Sequence, residues 1–172
     1  MFRVLTARLS FCMILFLVLD IGVRPHLTIA GFAPIFLYAL VIYTAFEWDV
    51  KRSLMTAVFV GILRDLTGYH PLGAETITLA GMVFLLNLLL LKIDRQPAFT
   101  RFVLAFILVQ MTLLLNLFWI SIFESGQFAP AAPMRVAFGT ALVTAAAAGL
   151  LSPFMRRWFQ DRSSIKQYEL FA

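Results

Sequence analysis

Three charged side chains, Arg64, Asp65 and Glu75, lie in a part of the chain that is otherwise almost continuous hydrocarbon. A charge at membrane depth costs about 2.5–3.5 kcal/mol on insertion scales, so such residues usually have a role. Glycines and a proline separate the first two charges from the third, which predicts a tight helical hairpin with a polar tip partly within the membrane. The residues of this motif are Gly61, Arg64, Asp65, Gly68, Pro71, Gly73 and Glu75.

The chemistry open to these charges depends on which of them pair. Adjacent residues of a helix point about 100° apart, so Arg64 and Asp65 do not face one another. We therefore expect an Arg64–Glu75 pair across the hairpin. Asp65 is then left to bind backbone amides, Thr67 or a group from another helix.

Three roles are compatible with this pattern. In the first, the charged side chains extend to the outer surface and only stabilise the turn of the hairpin. In the second, the hairpin also forms a surface for a partner or a ligand. In the third, one carboxylate serves in transport or catalysis.

The composition indicates an integral membrane protein. Of the 172 residues, 62% are hydrophobic and 13% are charged, whereas a soluble domain is about half apolar and about a quarter charged. No polar stretch is long enough for a second domain, so residues 1–172 are expected to form a single integral membrane domain. The net charge of +5 is spread over the ends of the apolar segments. That distribution is typical of topology determinants and not of nucleic-acid binding.

Six apolar runs have about the length that a membrane crossing needs. The sequence therefore predicts an all-α, polytopic membrane protein with six transmembrane helices. The predicted helices cover residues 9–23, 28–46, 53–69, 72–91, 102–123 and 134–155, and residues 156–172 form a basic cytoplasmic tail.

The basic residues divide unequally between the two sides of this arrangement. Of the 14 lysines and arginines, eleven flank one side, Arg24 and Arg135 flank the other, and Arg64 is embedded. Cytoplasmic loops carry the excess of lysine and arginine in membrane proteins. Both termini are therefore expected in the cytoplasm.

Other polar and small residues within the spans have simpler interpretations. Asp20 and Arg24 are four residues apart, so they can pair along one face where the first helix ends. The amides of Asn87, Gln110 and Asn116 are expected to bond to neighbouring helices. The small residues Ala141, Ala145 and Gly149 form a ridge that lets another helix approach closely.

Sequence motifs of catalysis are missing. The chain has no Gly-x-Ser-x-Gly elbow, no His-Glu-x-x-His and no Walker loop. His70, at the outer turn, is interpreted as a loop residue because the only other histidine is His26. We therefore predict that the protein is not an enzyme and holds neither a cofactor nor a metal.

The motif residues resemble a known family. The second span contains the proline-led motif Pro34-Ile35-Phe36-Leu37-Tyr38, and the hairpin has the pattern Gly61-x-x-x-Asp65-Leu66-x-x-x-x-Pro71-Leu72-Gly73. Both are similar to the bacterial rod shape-determining protein MreD, as are the size and the six spans. The motifs cover about residues 30 to 92. One departure is Ala57, where the family often has a glycine one turn before Gly61.

This resemblance implies a non-enzymatic component of the complex that directs lateral cell-wall synthesis in rod-shaped bacteria. The protein would lie in the cytoplasmic (inner) membrane and bind MreC. Through MreC it would be linked to the actin-like MreB and to the peptidoglycan synthases, a RodA-type glycosyltransferase and a class B penicillin-binding protein. Membrane lipids would be its other contacts.

The family is also similar in fold to the vitamin-binding S components of ECF transporters, in which six helices surround an outward-facing cavity. The alternative function is therefore a substrate-binding subunit of a small-molecule transporter. A membrane-embedded enzyme of lipid metabolism is a third class.

The asymmetry of basic residues makes a prediction about topology. Reporter fusions after Lys51, after Lys92 and at the C-terminus should report the cytoplasm, and fusions near His70 and Gln127 should report the exterior. A cytoplasmic signal at His70 would contradict the six-span arrangement, because it would move the charged hairpin to the other side.

Overall fold

The structure is a computed structural model, and it describes residues 2–23, 26–27, 31–67, 72–90, 98–123 and 131–159. Within these ranges the chain forms six α-helices and no β-strand, which confirms the all-α class. The helices are α1 (Phe2–Val18, continued by a π-helical turn over Leu19–Val23), α2 (Phe36–Glu47), α3 (Val50–Thr67), α4 (Ala74–Leu90), α5 (Ala98–Phe123) and α6 (Ala131–Phe159).

Helix α2 is the centre of the bundle. Each of its residues from 37 to 46 is buried, and it packs against all five other helices. A helix that is apolar on every side is stable only where neighbours surround it, and α2 has no polar face. The remaining helices pack in sequence order around it, with α3 against α4 and α5 against α6 as the most extensive pairs.

The predicted second span, residues 28–46, is helical only from Phe36. Residues 32–35 are not helical, and Ile35 has the extended angles φ −105° and ψ 101°. Pro34 explains this start, because proline lacks an N–H and disfavours helical angles in the residue before it. The prediction was therefore wrong over residues 31–35, and residues 28–30 lie outside the described ranges.

Other helices extend beyond their predicted ends. α3 begins three residues early and takes in Lys51 and Arg52, because lysine and arginine are good helix formers. α6 continues through Pro153 to Phe159. Proline removes the N–H that would bond to the carbonyl of Gly149, and the Ser152 hydroxyl donates to that carbonyl instead, at 2.9 Å. Residues 68–69, 91 and 160–172, from the predicted third and fourth spans and the tail, lie outside the described ranges.

Asp20 has a role that its spacing from Arg24 did not predict, and Arg24 itself lies outside the described residues. Its Oδ1 accepts a hydrogen bond from the Phe36 backbone N–H at 2.7 Å, and its Oδ2 accepts from the Leu37 N–H at 3.3 Å. The Asp20 side chain is buried against the start of α2. Thr144 of α6 contributes a third acceptor, since its hydroxyl oxygen binds the Ile35 N–H at 3.1 Å.

The small-residue ridge of α6 is only partly a packing surface. Ala141 and Ala145 are buried, whereas Gly149 is exposed and a Cβ added there would meet no atom within 4 Å. The close approach on α6 involves Gly139 instead, where an added Cβ would overlap the ring of Phe32.

Two of the described helices are long and apolar enough to cross a membrane, Ala98–Ile122 and Met134–Phe159. Phe36–Glu47 and Ala74–Leu90 are apolar but shorter. At 1.5 Å per residue α2 is about 18 Å long, less than the ~30 Å of a hydrocarbon layer. The number of six crossings and the side of the termini remain predictions.

The contact of Asp20 with α2 predicts a loss of stability when its carboxylate is removed. Asp20→Ala should lower the free energy of unfolding by about 1–2 kcal/mol, because the first turn of α2 loses two acceptors. Denaturation in detergent micelles, followed by circular dichroism, measures this change. Asp20→Asn retains a capping oxygen and should lose much less. Wild-type stability of Asp20→Ala would contradict the capping role.

Candidate functional site

The charged hairpin is built on a close approach of α3 and α4. A Cβ added to Gly61 would lie 2.5 Å from the Cα of Thr76 and 3.0 Å from its backbone nitrogen. Such distances do not occur for real Cβ atoms, so only glycine lets the two backbones come this close. Gly61, singled out in the sequence motif, therefore brings the end of α3 against the start of α4.

Asp65 uses this proximity to cap α4. Its Oδ1 accepts from the Glu75 backbone N–H at 3.0 Å, and its Oδ2 accepts from the Thr76 N–H at 3.1 Å and from the Thr76 hydroxyl at 2.5 Å. The first N–H groups of a helix have no intrahelical acceptor, and a carboxylate there also interacts favourably with the helix dipole. The expectation that Asp65 binds backbone amides is confirmed. Thr67 bonds instead to the Leu63 carbonyl.

Arg64 and Glu75 form the ion pair that the sequence predicted. Arg64 Nε donates to Glu75 Oε1 at 2.9 Å, and the Tyr38 hydroxyl donates to the same oxygen at 2.5 Å. The Arg64 guanidinium also lies over the Tyr38 ring, 5.5 Å from its centroid, within the range of a cation–π interaction. Arg64 therefore turns into the bundle toward α2 and α4, and its side chain is only 14% exposed.

One carboxylate oxygen of this cluster, Glu75 Oε2, takes no part in these hydrogen bonds. Glu75 is fully buried, and its Oε2 has no hydrogen-bond partner among the described residues. Such an oxygen can accept a hydrogen bond from water or a ligand. In the described part of the chain, no group of three or more His, Cys, Asp or Glu side chains is placed to hold a metal ion.

The turn of the hairpin depends on Gly73. Its φ is +90°, a left-handed conformation that other residues adopt only with strain. The Gly73 carbonyl accepts the N–H of Ile77, so this glycine also begins the hydrogen bonding of α4. The two other motif residues at the turn, Gly68 and Pro71, lie outside the described residues.

The three amides of the predicted spans were expected to bond to neighbouring helices, and this is confirmed for Asn87. Asn87 of α4 donates to the Ser53 hydroxyl of α3 at 3.1 Å, so it bonds across the helix pair as expected. Gln110 Oε1 and Asn116 Oδ1 of α5 are buried and have no hydrogen-bond partner among the described residues. Asn87 Oδ1 also has no such partner, so these three amide oxygens share the property of Glu75 Oε2.

Sequence reasoning missed two hydrogen-bond donors of the cluster, Tyr38 and Thr76. Tyr38 was noted only as part of an apolar motif, and Thr76 was not singled out. A signal for Tyr38 was available, because a phenol hydroxyl within an apolar helix generally finds a buried partner. No sequence pattern indicated that Asp20 caps α2, because its four-residue spacing from Arg24 suggests only a pair along α1.

These features define an all-α protein with long apolar helices and a buried ion pair in a helical hairpin. A family model described as rod shape-determining protein MreD matches residues 2–162. The chain therefore belongs to the MreD family of membrane proteins that act in rod shape determination. No curated protein and no solved structure matches the chain.

The buried ion pair predicts strongly non-additive effects on stability. Arg64→Met should lower the free energy of unfolding by about 3–5 kcal/mol, because it leaves the Glu75 carboxylate buried without its cation. The double variant Arg64→Met with Glu75→Gln removes both charges and should recover most of this loss. Denaturation in detergent micelles measures both.

The matched control is Arg135→Met, which removes an exposed arginine of α6 and should change the stability little. If the two single changes at Arg64 and Glu75 simply add in the double variant, the pair is not coupled in the way its geometry indicates.

Proposed function

We propose that this chain is a non-enzymatic membrane component of the bacterial elongation (rod) complex, in which it holds MreC and supports lateral peptidoglycan synthesis. Membership of the MreD family over residues 2–162 carries this proposal. Its direct partner would be MreC. Contacts with MreB, a RodA-type glycosyltransferase and a class B penicillin-binding protein would be indirect, and the site of action would be the cytoplasmic membrane.

The rigidity of the hairpin supports a role as a binding surface. Asp65 fixes the start of α4 to the end of α3, and the Arg64–Glu75 pair joins both helices to Tyr38 of α2. A surface that is already ordered loses less conformational entropy when a partner binds. Leu66 and Leu72, on either side of the turn, are exposed and offer apolar contact area next to this ordered core.

A substrate-binding subunit of a small-molecule transporter is the second candidate function. The observation that favours it is the set of four buried side-chain oxygens without hydrogen-bond partners among the described residues, at Glu75, Asn87, Gln110 and Asn116. Ligand pockets hold a few polar groups within apolar walls, and a ligand donor could use such buried acceptors.

Thermal stability separates the two candidates. A vitamin present at 100 times its dissociation constant would stabilise a binding protein by about 2.7 kcal/mol. We expect no shift from any member of a vitamin panel. A shift from one vitamin that is lost in Glu75→Gln would replace the scaffold proposal with the transporter function.

The shape of the hairpin predicts an effect on cells. Gly73→Leu forces a left-handed φ on a branched side chain, so the turn should change its path while the protein stays in the membrane. We expect loss of rod shape and reduced co-purification of MreC at normal abundance of the variant. Gly73→Asn is the conservative control, because asparagine tolerates this conformation.

Gly31→Leu is the matched control for strain. Gly31 has φ +85°, and an added Cβ would meet nothing within 4 Å, as at Gly73. The Gly31→Leu variant should leave cell shape normal. Normal rods with Gly73→Leu, or equal defects with both leucine variants, would contradict a specific role of the hairpin.

A further inference from the structure

A cleft opens between α2, α5 and α6 at the end of the bundle opposite the charged hairpin. Its volume is about 150 Å³, and its walls are mostly apolar. The wall residues that matter here are Phe46 from α2, Phe102 and Ala105 from α5, and Ala145, Ala148 and Gly149 from α6. Gly149 leaves room on the α6 side, because no atom lies within 4 Å of the position of its absent Cβ.

The mouth of this cleft is basic. A second cavity of about 310 Å³ shares Glu47, Arg101 and Ser152 with the cleft, and Arg156 and Arg157 also line it. Glu47 Oε1 accepts hydrogen bonds from Arg101 at 2.9 Å and from Arg156 at 2.7 Å. Three guanidinium groups against one carboxylate leave the described mouth with a net charge of 3 − 1 = +2.

The shape and the charge together identify the occupant. We propose that the cleft binds one anionic phospholipid, with the phosphate at the arginines of the mouth and one acyl chain along the apolar walls. Arginine binds phosphate through paired, charge-assisted hydrogen bonds. Basic pockets between transmembrane helices are suited to anionic headgroups. A soluble anion would leave the apolar walls empty, and a zwitterionic lipid would not use the excess positive charge.

The existing Glu47 contacts hold the mouth in place for this ligand. The carboxylate joins the end of α2 to the first turn of α5 and the last turns of α6. Arg101 is also held over the Phe46 ring, 6.0 Å from its centroid. Two arginines are thus oriented before a lipid arrives, and Arg157 lies on the same rim.

Native mass spectrometry of the delipidated full chain in detergent tests the proposal. The probes are phosphatidylglycerol, phosphatidylcholine with the same acyl chains, and the soluble anion glycerol phosphate. We expect one phosphatidylglycerol per chain, bound at least about fivefold more tightly than phosphatidylcholine and not displaced by glycerol phosphate. Equal binding of the two lipids, or displacement by the soluble anion, overturns the proposal.

Two variants with matched controls locate the site. Gly149→Leu fills the cleft and should abolish the preference for phosphatidylglycerol, whereas Gly81→Leu, at another exposed helical glycine with open space around it, should not. Arg157→Gln should weaken the binding of phosphatidylglycerol about fivefold. Arg135→Gln, at the other end of α6, should leave this binding unchanged. Unchanged binding in correctly folded Gly149→Leu places the lipid elsewhere and overturns the proposal.

Discussion

The first N–H groups of a helix have no partner within the helix, and in an apolar bundle each one left unpaired costs several kcal/mol. Two helices of this protein, α2 and α4, begin inside such a bundle. In both cases an aspartate from the end of the preceding helix supplies the acceptors: Asp20 for Phe36 and Leu37, and Asp65 for Glu75 and Thr76. Both aspartates lie at the end of the bundle away from Glu47, so that end is held together by carboxylates bonded to backbone.

The charged hairpin follows from this constraint. Once Asp65 is committed to the backbone of α4, Glu75 faces inward at the first turn of that helix and requires a cation, which Arg64 supplies. The Tyr38 hydroxyl then joins the central helix to the pair. Because the partners come from three helices, the cluster fixes their relative positions as well as neutralising a buried charge. A membrane protein with such a tip has an ordered surface to offer a partner, which is the basis for the proposed role in the rod complex.

Much of this could be predicted from the sequence, and the exceptions have physical causes. Hydropathy predicts apolar segments, and the spacing of Arg64, Asp65 and Glu75 predicts how they pair, because these residues are close along the chain. Hydropathy does not distinguish extended from helical backbone, so the start of α2 was misplaced although Pro34 marked it. The contact of Asp20 with residues 36 and 37 depends on how α1 and α2 pack, which no local spacing encodes. The position of Gly149 beside a cleft likewise depends on how α2, α5 and α6 pack, which no local spacing encodes.

The proposed role of the hairpin and the bundle around it is to hold a protein partner in the membrane rather than to bind a vitamin for transport. Affinity purification of the tagged chain from its native membrane in mild detergent, with identification of the co-purifying membrane proteins, tests it most directly. If the chain holds MreC, then MreC should co-purify in amounts comparable to the tagged chain. Recovery of a pair of ATPases with a transmembrane coupling subunit, and no MreC, would contradict it.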